Sequence, residues 1–130
     1  MATTVPSMTF NSAGNIRASA SLAASGTANY DVDYSAKFAG LIHVLNTPGG
    51  SVAATRGVKT EIFRRYGSSP TTGQSAWMTY TLPSQTASTA ESADLMVPPG
   101  KYNIKITNLD TANAVTVEIT GDTVDSLVSS

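Results

Sequence analysis

The feature that most constrains this chain is a two-residue alternation of apolar and polar side chains, repeated in short blocks that each end on a turn. Tyr102, Ile104 and Ile106 alternate with Asn103, Lys105 and Thr107, and Val115, Val117 and Ile119 continue the pattern until Gly121. Successive side chains of a strand point to opposite faces, so each block presents one apolar and one polar face. The same beat sets Tyr30, Val32 and Tyr34 against Asp31, Asp33 and Ser35, and Ile16, Ala18, Ala20, Leu22 and Ala24 against Arg17, Ser19, Ser21 and Ala23. From Val58 to Tyr66 it sets Val58, Thr60, Ile62 and Arg64 against Lys59, Glu61, Phe63 and Arg65. From Ala76 to Leu82 it sets Trp77, Thr79 and Thr81 against Met78, Tyr80 and Leu82. Phe38 to Leu45 is apolar except at Gly40 and His43, and Leu95-Met96-Val97 is a further short apolar run.

Turn signals separate the blocks. In Thr47-Pro48-Gly49-Gly50 the proline presets one backbone angle and glycine accepts the positive φ that follows. Gly67 to Gly73 is a polar, glycine-containing loop, Pro83 ends a strand, and Pro98-Pro99-Gly100 opens the next. Asn108 to Asn113 is a turn of Asx residues that makes a hairpin of the last two strands. About eight short strands without an amphipathic helix between them predict an all-β fold, an antiparallel β-sandwich of jelly-roll or immunoglobulin-like type. A length of 130 residues suits one domain. Residues 15–121 are read as the sandwich, 1–14 as an extended N-terminal arm, and 122–130 as a C-terminal tail too short to stand alone.

Composition narrows the partners. Charged residues are 13% of the chain and the formal net charge is -1, which lacks the electrostatic footprint of a nucleic-acid binder. A weakly charged surface also offers little repulsion between identical copies, so a homo-oligomer is expected. Met1 to Phe10 has neither the basic start nor the apolar run of a signal peptide, and no stretch approaches the ~20 apolar residues of a membrane span. Synthesis without secretion, and no membrane partner, are the expectations.

The residues do not announce catalysis. There is one His and no Cys, and His43 lies inside an apolar strand without a declared nucleophile or orienting group. Any metal site would be all-oxygen. Asp31 and Asp33 share a strand face, but alternating Asp is the usual solvent side of a strand, and Glu91 and Asp94 lack a calcium-loop signature. No catalytic residue, metal or cofactor is assigned. Neither glycine-containing loop has a phosphate-cradling pattern. Arg56, Lys59, Arg64 and Arg65 form the basic concentration, and Arg56, Arg64, Arg65, Phe63 and Tyr66 are the candidate interface, since Arg tolerates desolvation in protein contacts. Trp77 and Tyr80 are the alternative candidate, a ligand platform on which sugar rings could stack, weighed against Trp as a core anchor.

The low-charge Ala/Ser/Thr/Gly composition, the polar arm, Thr47-Pro48-Gly49-Gly50 ahead of Gly57-Val58, and the run Pro99-Gly100-Lys101-Tyr102-Asn103-Ile104-Lys105-Ile106-Thr107-Asn108 resemble small structural proteins of tailed bacteriophages that decorate or cement the capsid. The resemblance implies a non-enzymatic sandwich that trimerises on the shell, binds the major capsid protein or another virion protein, and resides in the virion after assembly in the host cytoplasm. An arm of about 12 residues reaches roughly 40 Å when extended. The alternative is a carbohydrate- or receptor-binding sandwich of a phage tail or fibre.

Overall fold

The computed structural model describes residues 6–48, 57–65, 75–81 and 89–129. Its strands are β1 (Pro6–Leu22), β2 (Thr27–Asp33), β3 (Ala39–Pro48), β4 (Val58–Arg64), β5 (Met78–Thr81), β6 (Glu91–Val97), β7 (Lys101–Asn108) and β8 (Val115–Ser129). They form two four-stranded antiparallel sheets, ordered β1-β8-β3-β6 and β2-β7-β4-β5. β1 pairs with β8, β2 with β7, β3 with β6 and β4 with β5. Such nested pairing is one long hairpin folded over so that, apart from β4 and β5 at its tip, successive strands fall in opposite sheets, and the β3–β8 and β4–β7 pairs close the fold. This is the jelly-roll arrangement, one of the two sandwich types expected.

The alternation decides which side chains fill the space between the sheets. Ile42, Val44, Val117 and Ile119 of the first sheet meet Ile62, Tyr102, Ile104 and Ile106 of the second, all essentially inaccessible. Full burial of each such side chain stabilises the fold by roughly 1.5–3 kcal/mol. In β4, Val58, Thr60 and Ile62 point inward and Lys59, Glu61 and Phe63 outward. In β2, Tyr30 and Val32 lean on the core while Asp31 and Asp33 stay exposed.

The expected hairpin of the last two strands is not formed. β7 belongs to the second sheet and β8 to the first. Asn108 holds the crossing: its Nδ2 donates to the carbonyls of Asn113 at 2.9 Å, Ala23 at 3.2 Å and Leu22 at 3.3 Å, and its Oδ1 accepts the Asp110 N–H at 3.0 Å. The Asp110 carboxylate then accepts the N–H groups of Ala112 and Asn113, both at 2.9 Å. A polar turn bonded to the end of β1 in this way carries the chain between layers instead of folding it back in one.

Most of the expected arm and tail lies in strands. Pro6 to Gly14 belongs to β1 and runs antiparallel to Gly121–Ser129 of β8, with Pro6 opposite Ser129 and Gly14 opposite Gly121. Two extended polar segments each carry unmet backbone donors and acceptors, and pairing satisfies both. The β1–β8 register slips on either side of Arg17, and there the guanidinium supplies donors of its own. Its Nε reaches the Val117 carbonyl at 3.1 Å, one terminal nitrogen reaches the Ala20 and Ser21 carbonyls at 3.1 Å, and the other reaches the Tyr30 hydroxyl at 2.6 Å.

Candidate binding site at the end of the second sheet

The β4–β7 register places Arg64 opposite Tyr102. Just beyond it, the Arg65 N–H donates to the Lys101 carbonyl at 2.9 Å, so the last residues of β4 and the first of β7 are tied together. The Pro98-Pro99-Gly100 turn leads into β7 and is held from two sides. The Tyr102 hydroxyl donates to the Pro98 carbonyl at 2.6 Å, and the Tyr34 N–H donates to the Gly100 carbonyl at 2.7 Å. Gly100 has φ of 153°, a conformation that side-chain-bearing residues rarely adopt, and a Cβ there would lie 3.3 Å from the Tyr102 hydroxyl. Arg64, Arg65, Pro99, Gly100, Lys101 and Tyr102 together line a recess of about 110 Å³.

Trp77 stands beside this recess. Its N–H donates to the Ile62 carbonyl at 2.8 Å, ahead of the paired part of β5, and its side chain does not continue the alternation of Thr79 and Thr81. The ring meets the Arg64 guanidinium at 4.8 Å from its centroid and the Tyr102 ring at 5.9 Å between centroids, tilted by 37°. Both partners come from one cross-strand pair, so the indole is braced from the sheet side. It still remains 41% exposed, neither a core anchor nor a loose surface ring. A cation over an indole contributes about 0.5–1 kcal/mol at an exposed site. Burial pushes the Tyr102 phenol up, against a downward pull from Arg64, so at neutral pH it remains a hydrogen-bond donor.

The other expected site residues are spread out. Arg65 lies 3.6 Å from Asp31, which also accepts a 2.9 Å hydrogen bond from Asn103. Asp33 is occupied by the Ser35 hydroxyl and N–H, and these hydrogen bonds, more than Lys101 and Arg65, hold its carboxyl below the usual range. The two aspartates therefore have protein partners, and no cluster of three metal-ligating groups occurs among the described residues. Phe63 lies on the outer face of the second sheet, opposite Asn103. Tyr80 pairs with Thr60 on the edge strand and is as exposed as Trp77. Arg56 and Tyr66 lie outside the described residues.

His43 is on the outer face of the first sheet, bridging three strands. Its Nδ1 is 2.6 Å from Asp94 and its Nε2 is 2.9 Å from Asp122. Chiefly through the Asp94 hydrogen bond, the imidazole is held above its ordinary range, with burial opposing. With both ring nitrogens engaged by carboxylates, the group is an ion bridge; a general base would need a free nitrogen facing a reactant.

Sequence reasoning reached Arg64, Arg65 and Trp77 but not Lys101, Tyr102 or Gly100 as neighbours of them. Those three were legible as the opening of a strand; their place in the recess depends on the β4–β7 register.

No protein-family model and no curated protein matches the chain. Solved structures do. The K1 cleaved adhesin domain of Lys-gingipain from Porphyromonas gingivalis is 9% identical, with 92% of this chain and 98% of that one covered at a TM-score of 0.52. The CBM35 module of Abf62 from Cellvibrio japonicus is 12% identical, with 82% and 71% covered at a TM-score of 0.48. A family 35 carbohydrate-binding module from Clostridium thermocellum is 10% identical, with 90% and 86% covered at a TM-score of 0.48. At these identities the likeness to the adhesin domain is one of fold. None of the three is a virion protein.

Proposed function

We propose that this chain is a non-catalytic jelly-roll binding module that recognises a carbohydrate. The observation that carries the reading is Trp77: an indole fixed by Arg64 and Tyr102, yet with two-fifths of its surface in water. A large ring held in place with much of its face in water has apolar surface that a ligand can still bury, and the apolar C–H face of a pyranose is a natural cover for a flat π surface. The adjoining recess supplies polar groups that would orient the sugar. Fold likeness to an adhesin domain is compatible with a binding role, though a fold by itself does not assign one. A glycan array followed by titration calorimetry tests the reading. Millimolar or tighter binding to a glycan, lost in a folded Trp77→Ala variant, supports it; no glycan retained, or binding indifferent to Trp77→Ala, overturns it.

A second reading, a self-associating virion structural protein that decorates a capsid, draws on a different observation. β8 pairs with β3 as far as Val124, whereas its pairing with β1 continues to Ser129. Among the described residues no strand pairs with β8 past Val124 on its β3 side, which is a strand edge of the kind another copy can pair with. Light scattering after size exclusion tests this: a trimer lost on deleting residues 1–14 supports it, and a monomer at high concentration removes it.

A further inference from the structure

Two exposed aromatic rings share one side of β5. The β4–β5 register sets Tyr80 opposite Thr60 and Met78 opposite Ile62, so these side chains lie on the face that β4 turns towards the core. Trp77 joins that side from beyond the paired segment: its ring packs against Arg64, the next residue in the Thr60, Ile62, Arg64 row, and against Tyr102, which lies opposite Arg64. Met78, between the two rings, leans on the core, whereas Trp77 and Tyr80 are each 41% exposed. Among the described residues β5 is the last strand of its sheet, so both rings stand at a margin of the sandwich.

Three residues of strand carry Trp77 and Tyr80 about 10 Å apart along β5. One pyranose ring is too short to lie on both, whereas a chain of sugars running along the strand reaches from one to the other. Resting on the carbohydrate reading above, we infer that the site holds an interior stretch of an extended glycan chain, with one sugar on Trp77, another further along on Tyr80, and Met78 as the floor between them. The class of chain follows from the straightness of that row. Pyranoses joined through equatorial oxygens, as in a β-1,4-glucan, form an extended ribbon that keeps its ring faces along a line, and axial links coil a chain away from it. Along the free side of an edge strand, alternate backbone N–H and C=O groups point outward, and these are donors and acceptors for the hydroxyls that flank the stacked faces.

The experiment is a calorimetric titration of the full chain with glucose and the cello-oligosaccharides up to cellohexaose, with malto-oligosaccharides as the coiled control. Affinity should be low for the short members, rise by about threefold to tenfold once the chain spans both rings, and then level off. Tyr80→Thr, which suits a strand, should cancel that rise and leave the short members unaffected, while Tyr80→Phe, which keeps a ring, should retain it. The malto-oligosaccharides should show no such step. Affinity independent of length, or a step indifferent to Tyr80→Thr, would overturn the two-ring platform; binding still lost in Trp77→Ala would leave carbohydrate recognition standing. Binding of a glycan on the array but of no cello-oligosaccharide would likewise overturn the platform alone. Absence of binding to any glycan would overturn both.

Discussion

The ring of Tyr34 lies in the space that a side chain on Gly40 would occupy: a Cβ built on Gly40 collides with Cγ, Cδ2 and Cε2 of the tyrosine. Tyr34 is 3% exposed, and at its far end the hydroxyl crowds the position of a Cβ on Gly121, at 2.9 Å. Two glycines on adjacent strands thus make the slot that lets one tyrosine close the gap between the sheets.

Gly40→Ala should therefore lower the unfolding free energy by about 1–3 kcal/mol, the usual cost of overpacking a close-packed interior. Tyr34→Phe should behave oppositely. The Tyr34 hydroxyl is buried with no hydrogen-bond partner among the described residues, and burial pushes its ionisation up. Removing an unsatisfied buried group while keeping the ring should leave stability unchanged or raise it by up to about 1 kcal/mol. Urea denaturation of both variants checks the pair; a Tyr34→Phe loss above that size would show that the hydroxyl is bonded in solution.

Arg17 replaces ladder bonds where β1 slips against β8. Its planar fork reaches three carbonyls and the Tyr30 hydroxyl, a set that one ammonium on a flexible stem does not reproduce. Arg17→Lys should cost about 1–2 kcal/mol, and Tyr30→Phe, which removes one of these bonds, about 0.5–1.5 kcal/mol. Hydrogen exchange should show the loss as faster exchange in β1 and β8.

The side-chain alternation made the faces of individual strands legible. Tyr102, Ile104 and Ile106 were expected inside and are inside, and Asp31 and Asp33 were expected outside and are outside. Strand partnership was less legible, because Asn108, Asp110 and Asn113 suit a tight hairpin as well as a crossing between sheets. What separates the two is a bond from Asn108 to Leu22, 86 residues away. The candidate site was half visible for the same reason. Arg64 and Arg65 stand out as charges and Trp77 as the sole tryptophan, but their link to Lys101 and Tyr102 follows from register. Trp77 departs from its own alternation because it precedes the paired segment Met78–Thr81 and its ring packs against Arg64 and Tyr102.

Asn108 is buried and joins the β7–β8 crossing to the end of β1 through four hydrogen-bond contacts. Asn108→Ala should cost about 2–3 kcal/mol, since it deletes those bonds and strands buried carbonyls. Asn108→Asp keeps the acceptor for the Asp110 N–H but places a carboxylate against the carbonyls of Leu22, Ala23 and Asn113. It should be at least as destabilising as alanine at neutral pH and recover partly in acid. A denaturation series from pH 7 to pH 4 separates the two variants.

His43 makes stability depend on pH through the Asp94 and Asp122 bridges. The Asp94 hydrogen bond is the largest contribution raising its pKa above the ordinary 6.5, and burial works against it. A histidine whose folded pKa exceeds its unfolded value binds its proton more tightly when folded. The resulting stabilisation is complete below the unfolded pKa and is lost as pH rises through the folded one. Urea midpoints should therefore fall as pH rises from the ordinary histidine value of 6.5 through the higher folded one, and His43→Gln should flatten that fall. Because His43 is the sole histidine, one imidazole resonance reports the titration directly. Its midpoint should lie above 6.5 and drop further in Asp94→Asn than in Asp122→Asn, following the order of the two contributions. A midpoint at or below 6.5 would mean that the two carboxylates do not hold the ring in solution. The bridge across β6, β3 and β8 would then have to be struck from the forces that fasten the outer face of the first sheet.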